Sequence, residues 1–351
     1  MDPQPPEPTH LADLALVDVG TGGIFTAFAL VRSVRKGETR AGKPYYELRL
    51  SDRAASRVAK VWSDNGRAMQ EAAEIVVGDH VKVKFEIEMW KGTAQLDLRR
   101  IRRAKQGEYD PAALVVEGHE LVADLLCDTL VFDIETVPAV DRRRVPPTIA
   151  QAVGKVAERN DWDHTKVMSL SPYFGQVVSL AVGDGEQHSS TQDVTVFVVP
   201  PPGDKPAGLP SWIRPVTEVD LLRAFWALAS HAQVVVSYNG RGFDVPFLVA
   251  RSLIHRVPVR CDLTSNRYSL RPHLDLYQVL GQTRGPSSLD VVCWALGLTS
   301  PKLDMDGSMV ATTYAKGDLD SIALYNAGDV RATTGVYQRV RDTVLQFRDD
   351  W

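Results

Sequence analysis

The most constraining feature of this 351-residue chain is a seven-residue run, Leu130-Val131-Phe132-Asp133-Ile134-Glu135-Thr136. Its apolar density predicts a buried strand, which the following Val137-Pro138 breaks. Residues two apart on a strand point to the same side, so Asp133 and Glu135 project together from a core strand. Burial disfavours two like charges side by side, and a divalent cation between them is the simplest remedy. Ligands that are all oxygen favour Mg²⁺ or Mn²⁺. A lone Asp-x-Glu is more simply a strand end that merely meets solvent, so the metal reading needs further carboxylates downstream.

The length suits two domains, because a single core rarely grows past about 250–300 residues. With 44% hydrophobic and 24% charged residues and no apolar run of membrane-spanning length, the chain reads as a soluble globular protein. MDPQPPEPTH is Pro-rich and acidic and lacks an apolar h-region, so residues 1–19 are expected to be a disordered leader and not a secretory signal. Cys127, Cys261 and Cys293 are scattered and odd in number, which argues against a disulfide framework or a zinc site and places the protein in a reducing cytoplasm. Charge divides unevenly. Residues 20–107 hold 18 Lys/Arg against 10 Asp/Glu, a balance of +8, so with a net charge of −4 the remainder carries −12. Such a split suits a polyanion-binding part joined to a metal-binding part, although scattered surface charge can produce it by chance.

From Gly23 to about Arg103 the pattern is all-β. A β-prone run (Ile24–Val31) precedes a basic turn (Arg35–Pro44); strands follow at Tyr45–Leu50 and Val58–Trp62, then a short helix at Gly66–Ala73. Asp79–Met89 places Val81, Val83, Phe85 and Ile87 on one face, and after a Trp90-Lys91-Gly92 turn the chain returns through Ala94–Ile101. Five strands with a helix between the third and fourth is the order of an OB-fold barrel, assigned here to residues 20–107. The segments TGGIFTAFALV, KPYYELRLSD, AKVWSD and GDHVKVKFEIEMWKGTAQLDLRRI resemble the nucleic-acid-binding OB domains that precede some bacterial exonucleases. Such folds grip single strands with a basic groove and aromatic platforms. Tyr45, Tyr46, Trp62 and Trp90 are the aromatic candidates, each also suited to the barrel core, and Trp90 beside its turn is the preferred exposed one. Arg35, Lys36, Arg40, Lys43 and Lys91 are the candidate backbone contacts.

A basic run at 99–105 and the polar Gln106–Pro111 mark a boundary, and residues 108–351 form the second domain. It is expected to open with a helix at Ala112–Cys127. After the Asp133/Glu135 strand come a polar helical insertion at 137–170, strands at 176–182 and 194–199, an amphipathic helix at 218–232 and a fourth strand at 234–238. This order predicts an α/β sheet layered with helices. Asn239-Gly240-Arg241-Gly242-Phe243-Asp244 then makes a tight turn with Asp244 at a helix start, where it also suits an N-cap. Tyr325 and Asp329 lie four apart on one face of a long helix, about 318–347.

Together, Asp133-x-Glu135, YNGRGFDVPFL and YNAGD match in order the three motifs of the DEDD exonucleases in their tyrosine variant, which have an RNase H-like (DnaQ-like) fold. HLDLYQVL and SSLDVVCWALGLTSPKLDMDGSMV are similar to bacterial proteins related to the proofreading domain of family B DNA polymerases. The resemblance covers roughly residues 125–347, with no polymerase part. It implies a mixed sheet flanked by helices and two divalent cations, Mg²⁺ or Mn²⁺, about 4 Å apart. Asp133 would bridge both, Glu135 and Asp329 would bind the ion carrying the attacking water, and Asp244 would help hold the other through solvent. Tyr325 would orient that water and not act as a base, given a free pKa near 10. Asn239, Phe243 and Thr136 are candidate contacts to the terminal nucleotide. Asp275, Asp304 and Asp306 read as supporting residues, and His273 is not needed as a base.

The expectation is a 3′–5′ exonuclease that releases nucleoside 5′-monophosphates from single-stranded 3′ ends, with DNA favoured over RNA, no membrane association and no obligatory protein partner evident. An enzyme acting mainly on RNA is the alternative within the class. A single-strand-binding protein with an inactive nuclease domain is the alternative outside it.

Overall fold

In the first part of the chain, period-two alternation of small and branched apolar residues builds a barrel whose inside is fully buried. β1 (Phe25–Glu38), β2 (Pro44–Ser51), β3 (Ser56–Trp62), β4 (His80–Trp90) and β5 (Thr93–Arg103) close in the order β1-β2-β3-β5-β4. Antiparallel hairpins supply most of the pairing, and a parallel contact between β3 and β5 completes the ring. Val81, Val83 and Phe85 are wholly buried, as are Ala27, Ala29 and Val31 on the neighbouring strand. α1 (Gly66–Ala73) is started by the Asn65 side chain, which accepts from the Ala68 N–H at 3.1 Å. It seats Ala68 and Ala72 in the barrel core. This is the OB-fold expected.

The computed structural model describes residues 11, 23–39, 41–53, 56–90, 93–191, 193–204, 206–265, 269–281, 288–300, 305–348 and 351. Most of the expected leader, together with Arg40, Lys91 and Asp304, lies outside them, as does the side chain of Trp90. Leu11 is described: it is buried in the barrel core and donates its N–H to Asp52 at 2.7 Å.

Two expected elements differ. The segment read as a basic turn from Arg35 is the end of β1, because the hairpin continues as far as the Glu38–Pro44 pair. The Tyr45 ring explains the extension: it lies across Gly37, where a Cβ would stand 2.7 Å from the ring. The expected helix at Ala112–Cys127 is instead a 3₁₀ turn at Pro111–Ala113 and the four-residue α2 (His119–Val122). Gly118 interrupts it with φ of +87° and backs so closely onto Arg223 that a Cβ would sit 2.6 Å from that backbone.

The chain divides into two compact units, residues 1–117 and 118–351. Segment 104–117 belongs to the barrel unit: Tyr109 stacks on Phe28 with centroids 5.3 Å apart and bonds His80 at 2.6 Å.

The second unit is a six-stranded mixed sheet in the order β11-β10-β6-β7-β8-β9. Its strands are β6 (Thr129–Pro138), β7 (Gly175–Asp184), β8 (Thr195–Val198), β9 (Ile213–Pro215), β10 (Val234–Ser237) and β11 (His273–Asp275). β6 pairs antiparallel with β7 and parallel with β10. Between β6 and β7 stand α3 (Pro147–Asn160) and α4 (His164–Ser169), and α5 (Glu218–His231) precedes β10. α6 (Asp244–His255), α7 (Leu276–Val279), α8 (Leu289–Leu296) and α9 (Val310–Ala315) lead to the long α10 (Leu319–Thr343). The alternation along β6 decides which side is chemical. Phe132 packs on Phe225 of α5 at 4.8 Å, whereas Val131 and Val137 share a core cluster with Ala323, Ala327 and Val330 of α10. Asp133 and Glu135 fall on the α10 side. Among the described residues, no helix is long and apolar enough to cross a membrane.

Candidate active site

β6 and α10 meet at a carboxylate cluster. Asp133, Glu135 and Asp329 each present an oxygen within 4.8 Å of the others. Asp133 stands opposite Ala181 of β7, Glu135 opposite Ser179, and the register shifts immediately after Glu135. A bulge of this kind bends a strand and re-aims its side chains. Tyr325 precedes Asp329 by one helical turn, so both face the cluster.

Asp244 is the first residue of α6 and not its N-cap; Phe243 holds the cap position without a side-chain cap bond. The buried Asp244 carboxylate instead accepts the N–H of Ile134, between the two acids of β6, at 3.3 Å. The four carboxylates and Tyr325 therefore occupy one place.

The electrostatics are those of a site short of positive charge. Burial, then the charges of Asp244, Asp329 and Glu135, push the Asp133 carboxyl well above the usual carboxylate range. Burial followed by Asp329 and Asp244 does the same to Glu135. Asp244 is raised by burial to about 7, even though backbone N–H donors favour its charged form. The Tyr325 hydroxyl is pushed up by burial and then by Asp329, Glu135 and Asp133, so it keeps its proton and is available as a donor. Clustered oxygen ligands with suppressed ionisation fit a hard divalent cation, whose charge would offset the repulsion.

The turn that delivers Asp244 is held by residues outside the cluster. Asp275 accepts from Asn239 N at 2.9 Å, Arg241 N at 3.0 Å and Tyr277 N at 3.1 Å. The Arg241 guanidinium donates to the carbonyls of Leu263, Ser269 and His273. At Gly240 a Cβ would stand 2.3 Å from Ser237 Oγ, so no side chain fits. His273 is fully buried and lowered by that burial to about 4. Being neutral, it donates from Nδ1 to Leu263 O at 3.0 Å and accepts from Ser237 Oγ at 2.8 Å, which makes it a strut.

The remaining sequence candidates lie as follows. Asn239 is exposed in the turn with φ of +62°, and Phe243 packs on Phe247 at 5.5 Å. Thr136 is buried and its hydroxyl donates to Ser169 O at 2.9 Å, stapling α4 to β6. In the barrel unit, Tyr45 and Trp62 pair across β2 and β3 with centroids 5.4 Å apart, both partly exposed. Arg35, Lys36 and Lys43 are exposed on the β1–β2 hairpin.

Three supports were missed in the sequence. Lys60 Nζ lies 5.3 Å from the Tyr45 ring and 5.2 Å from that of Trp62. Asn326, fully buried beside Tyr325, donates from Nδ2 to Ser179 Oγ at 2.8 Å, directly across the strand pair from Glu135. Buried Glu218 takes Val177 N at 2.9 Å and two bonds from Arg251, at 2.8 and 2.6 Å. Asn326 stood inside the Tyr-Asn-Ala-Gly-Asp motif and could have been suspected; nothing in sequence singles out Lys60 or Glu218.

A family model described as a predicted 3′-5′ exonuclease related to the exonuclease domain of PolB matches residues 213–349, a stretch that contains Asp244, Tyr325 and Asp329. Among individual relatives, the chain is similar to the 3′-5′ exoribonuclease YhaM of Listeria innocua, 29% identical over 117 residues, covering 33% of this chain and 36% of that protein. It is also similar to the YhaM exoribonuclease of a Geobacillus species, 31% identical over 93 residues, covering 26% and 28%. The matched region is thus about a third of the length of these relatives. Solved structures aligned with about a quarter of the chain include a replication protein A heterotrimer bound to ssDNA, at 18% identity, TM-score 0.20 and 59% of that chain. Another is the second OB-fold domain of replication protein A from Methanococcus maripaludis, at 17% identity, TM-score 0.20 and 90% of that chain. The OB assignment rests on strand order and barrel closure, not on those scores.

Proposed function

We propose that this protein is a metal-dependent 3′–5′ exonuclease of single-stranded nucleic acid that releases nucleoside 5′-monophosphates. The observation that carries the reading is the convergence of Asp133, Glu135 and Asp329 within 4.8 Å, with Asp244 bonded into the same strand. Asp133, Glu135, Asp329 and Asp244 would hold divalent cations of the Mg²⁺ or Mn²⁺ class, two in the scheme the motifs imply, which polarise the scissile phosphate and acidify the attacking water. The protein's own part is positional. Asp133 and Glu135 are fixed by the sheet and Asp329 by α10, while the protonated Tyr325 hydroxyl donates to the reacting oxygens and orients them. Tyr45, Lys60 and Trp62 give the barrel a face on which bases stack and a phosphate is met, as single-strand binders require. The two units are tethered, so binding at one raises the local concentration of strand for the other.

DNA is the substrate first expected, and the match to a PolB-related exonuclease model supports it. RNA is a second reading, favoured by the relatives named as exoribonucleases. The test uses 5′-labelled DNA and RNA of one sequence with Mg²⁺, Mn²⁺ or EDTA, alongside Asp133→Ala. A metal-dependent ladder shortening from the 3′ end and absent from the variant supports the proposal and ranks the substrates. Intact strands under every metal, with binding retained, would leave only a binding protein.

A further inference from the structure

The excursion between β6 and β7 has no part in the carboxylate chemistry, yet it is fastened to the strand that carries it. Besides the Thr136–Ser169 bond, Ala139 N donates to Phe174 O at 2.8 Å and Arg251 of α6 reaches Pro172 O at 3.1 Å. The pairing of Pro138 with Gly175 sets the root of this arm three residues past Glu135, about 10 Å along the strand.

Its interior is small: Val153, Ala157, Val167 and Met168, with Phe174 against them. Large apolar groups are left outside. Tyr173 is 67% exposed, Leu170 40% and Trp162 37%, and Lys166 Nζ stands 4.8 Å from the Trp162 ring. Charge sets the arm apart as well. Residues 139–174 carry six Lys/Arg against four Asp/Glu, within a remainder of the chain that is strongly acidic. Two of those acids are engaged locally: Asp163 caps α4 through Lys166 N at 2.8 Å, and Asp141 holds Arg143 at 2.9 Å. Lys155, Arg159 and Lys166 are exposed cations on the same arm.

We propose that the α3–α4 arm is a contact surface for single-stranded nucleic acid, receiving the nucleotides next to the 3′ terminus as they approach the carboxylate cluster. Exposed rings among exposed cations, with Lys166 over Trp162, match bases alternating with phosphates. A duplex, whose base faces are already stacked, uses only the cations, and an apolar protein surface uses only the rings. The inference rests on the nuclease reading for its direction of travel.

The test is photocrosslinking of the full chain in EDTA to single-stranded oligonucleotides carrying one 4-thiothymidine or 4-thiouridine at the second to fifth position from the 3′ end, with peptide mapping. Adducts on peptides containing Trp162 or Tyr173 are expected. Tyr173→Ala and Trp162→Ala should raise KM for a 12-mer about five-fold or more while dinucleotide turnover stays within about two-fold, because a stacked base contributes about 1–3 kcal/mol. Tyr173→Phe should restore the 12-mer value. Adducts confined to other peptides overturn the proposal, as do equal losses on dinucleotide and 12-mer. A dimer in sedimentation that Tyr173→Ala dissolves would assign the face to a second copy and also overturn it. Arm adducts from a protein that degrades neither DNA nor RNA would leave the surface standing and remove the nuclease reading.

Discussion

Removing one charge from the cluster should stabilise the protein when metal is absent. Asp244 has a folded-state pKa of about 7 against an ordinary 3.8, because burial disfavours its ionised form. The folded state therefore holds this proton more tightly than the unfolded state, and stability falls as pH rises between the two values. Spread over about three units at about 1.4 kcal/mol each, the ionised carboxylate costs about 4 kcal/mol by neutral pH. Asp133 and Glu135 shift in the same direction and add to the fall. Asp244→Asn keeps an oxygen for the Ile134 N–H and removes the charge. In EDTA the variant should match wild type near pH 4 and exceed it at pH 8 by several kcal/mol, on the order of 10 °C in Tm for a unit of this size. Calorimetry across pH 4–8 reads the gap, and a parallel series with Mn²⁺ should reverse it, because the bound cation stabilises wild type by linkage. A variant less stable than wild type in EDTA at pH 8, or a gap independent of pH, would refute the claim that the cluster is held against its own repulsion.

Other consequences can be measured separately. Because Asp133, Glu135 and Asp244 retain protons above their ordinary range, Mn²⁺ binding must displace them; titration calorimetry should show the apparent Kd weakening as pH falls from about 8 to 6. Asp275→Ala orphans three backbone N–H groups at about 1–3 kcal/mol each where they stay dry. It should depress kcat through Asp244, with Asp275→Asn intermediate because it keeps one acceptor oxygen. Arg251→Ala leaves Glu218 buried without its main partner and should lower denaturant stability by about 3–5 kcal/mol. Tyr45→Ala and Trp62→Ala should each weaken binding of a single-stranded 20-mer by about 1–3 kcal/mol in fluorescence anisotropy, with dinucleotide turnover unchanged.

What was legible in the sequence was whatever depends on period and residue type. Val81, Val83 and Phe85 alternate into a buried face as written, and α1 begins and ends where the pattern put it. Leu130 to Thr136 announced the acid-bearing strand because apolar residues crowd around two acids. The Arg35–Glu38 segment misled, because charged residues in a long hairpin look like a turn until the cross-strand ring of Tyr45 is seen over Gly37. The expected helix after Ala112 failed for a tertiary reason as well: Gly118 packs against the Arg223 backbone. Supporting residues were the hardest to read. Ser179 is one serine among several, and only the register opposite Glu135 gives it meaning.

The same register explains why so few residues suffice for the site. β10 runs parallel beside β6, with Val236 against Val131, so the turn after β10 emerges midway along β6, beside Asp133 and Ile134, and carries Asp244 to the Ile134 N–H. β7 runs antiparallel on the other side and sets Ser179 opposite Glu135, while α10 crosses the shared face with Asn326 against Ser179 and Asp329 toward the acids. The four carboxylates thus come from three segments, β6, α6 and α10, but all are referred to one strand. A one-residue slip of β6 would turn Asp133 and Glu135 toward Phe225 and present Phe132 and Ile134 to α10. Burying two carboxylates in the α5 layer costs far more than the slip could return, so the apolar core that selects the register also fixes the geometry of the cluster.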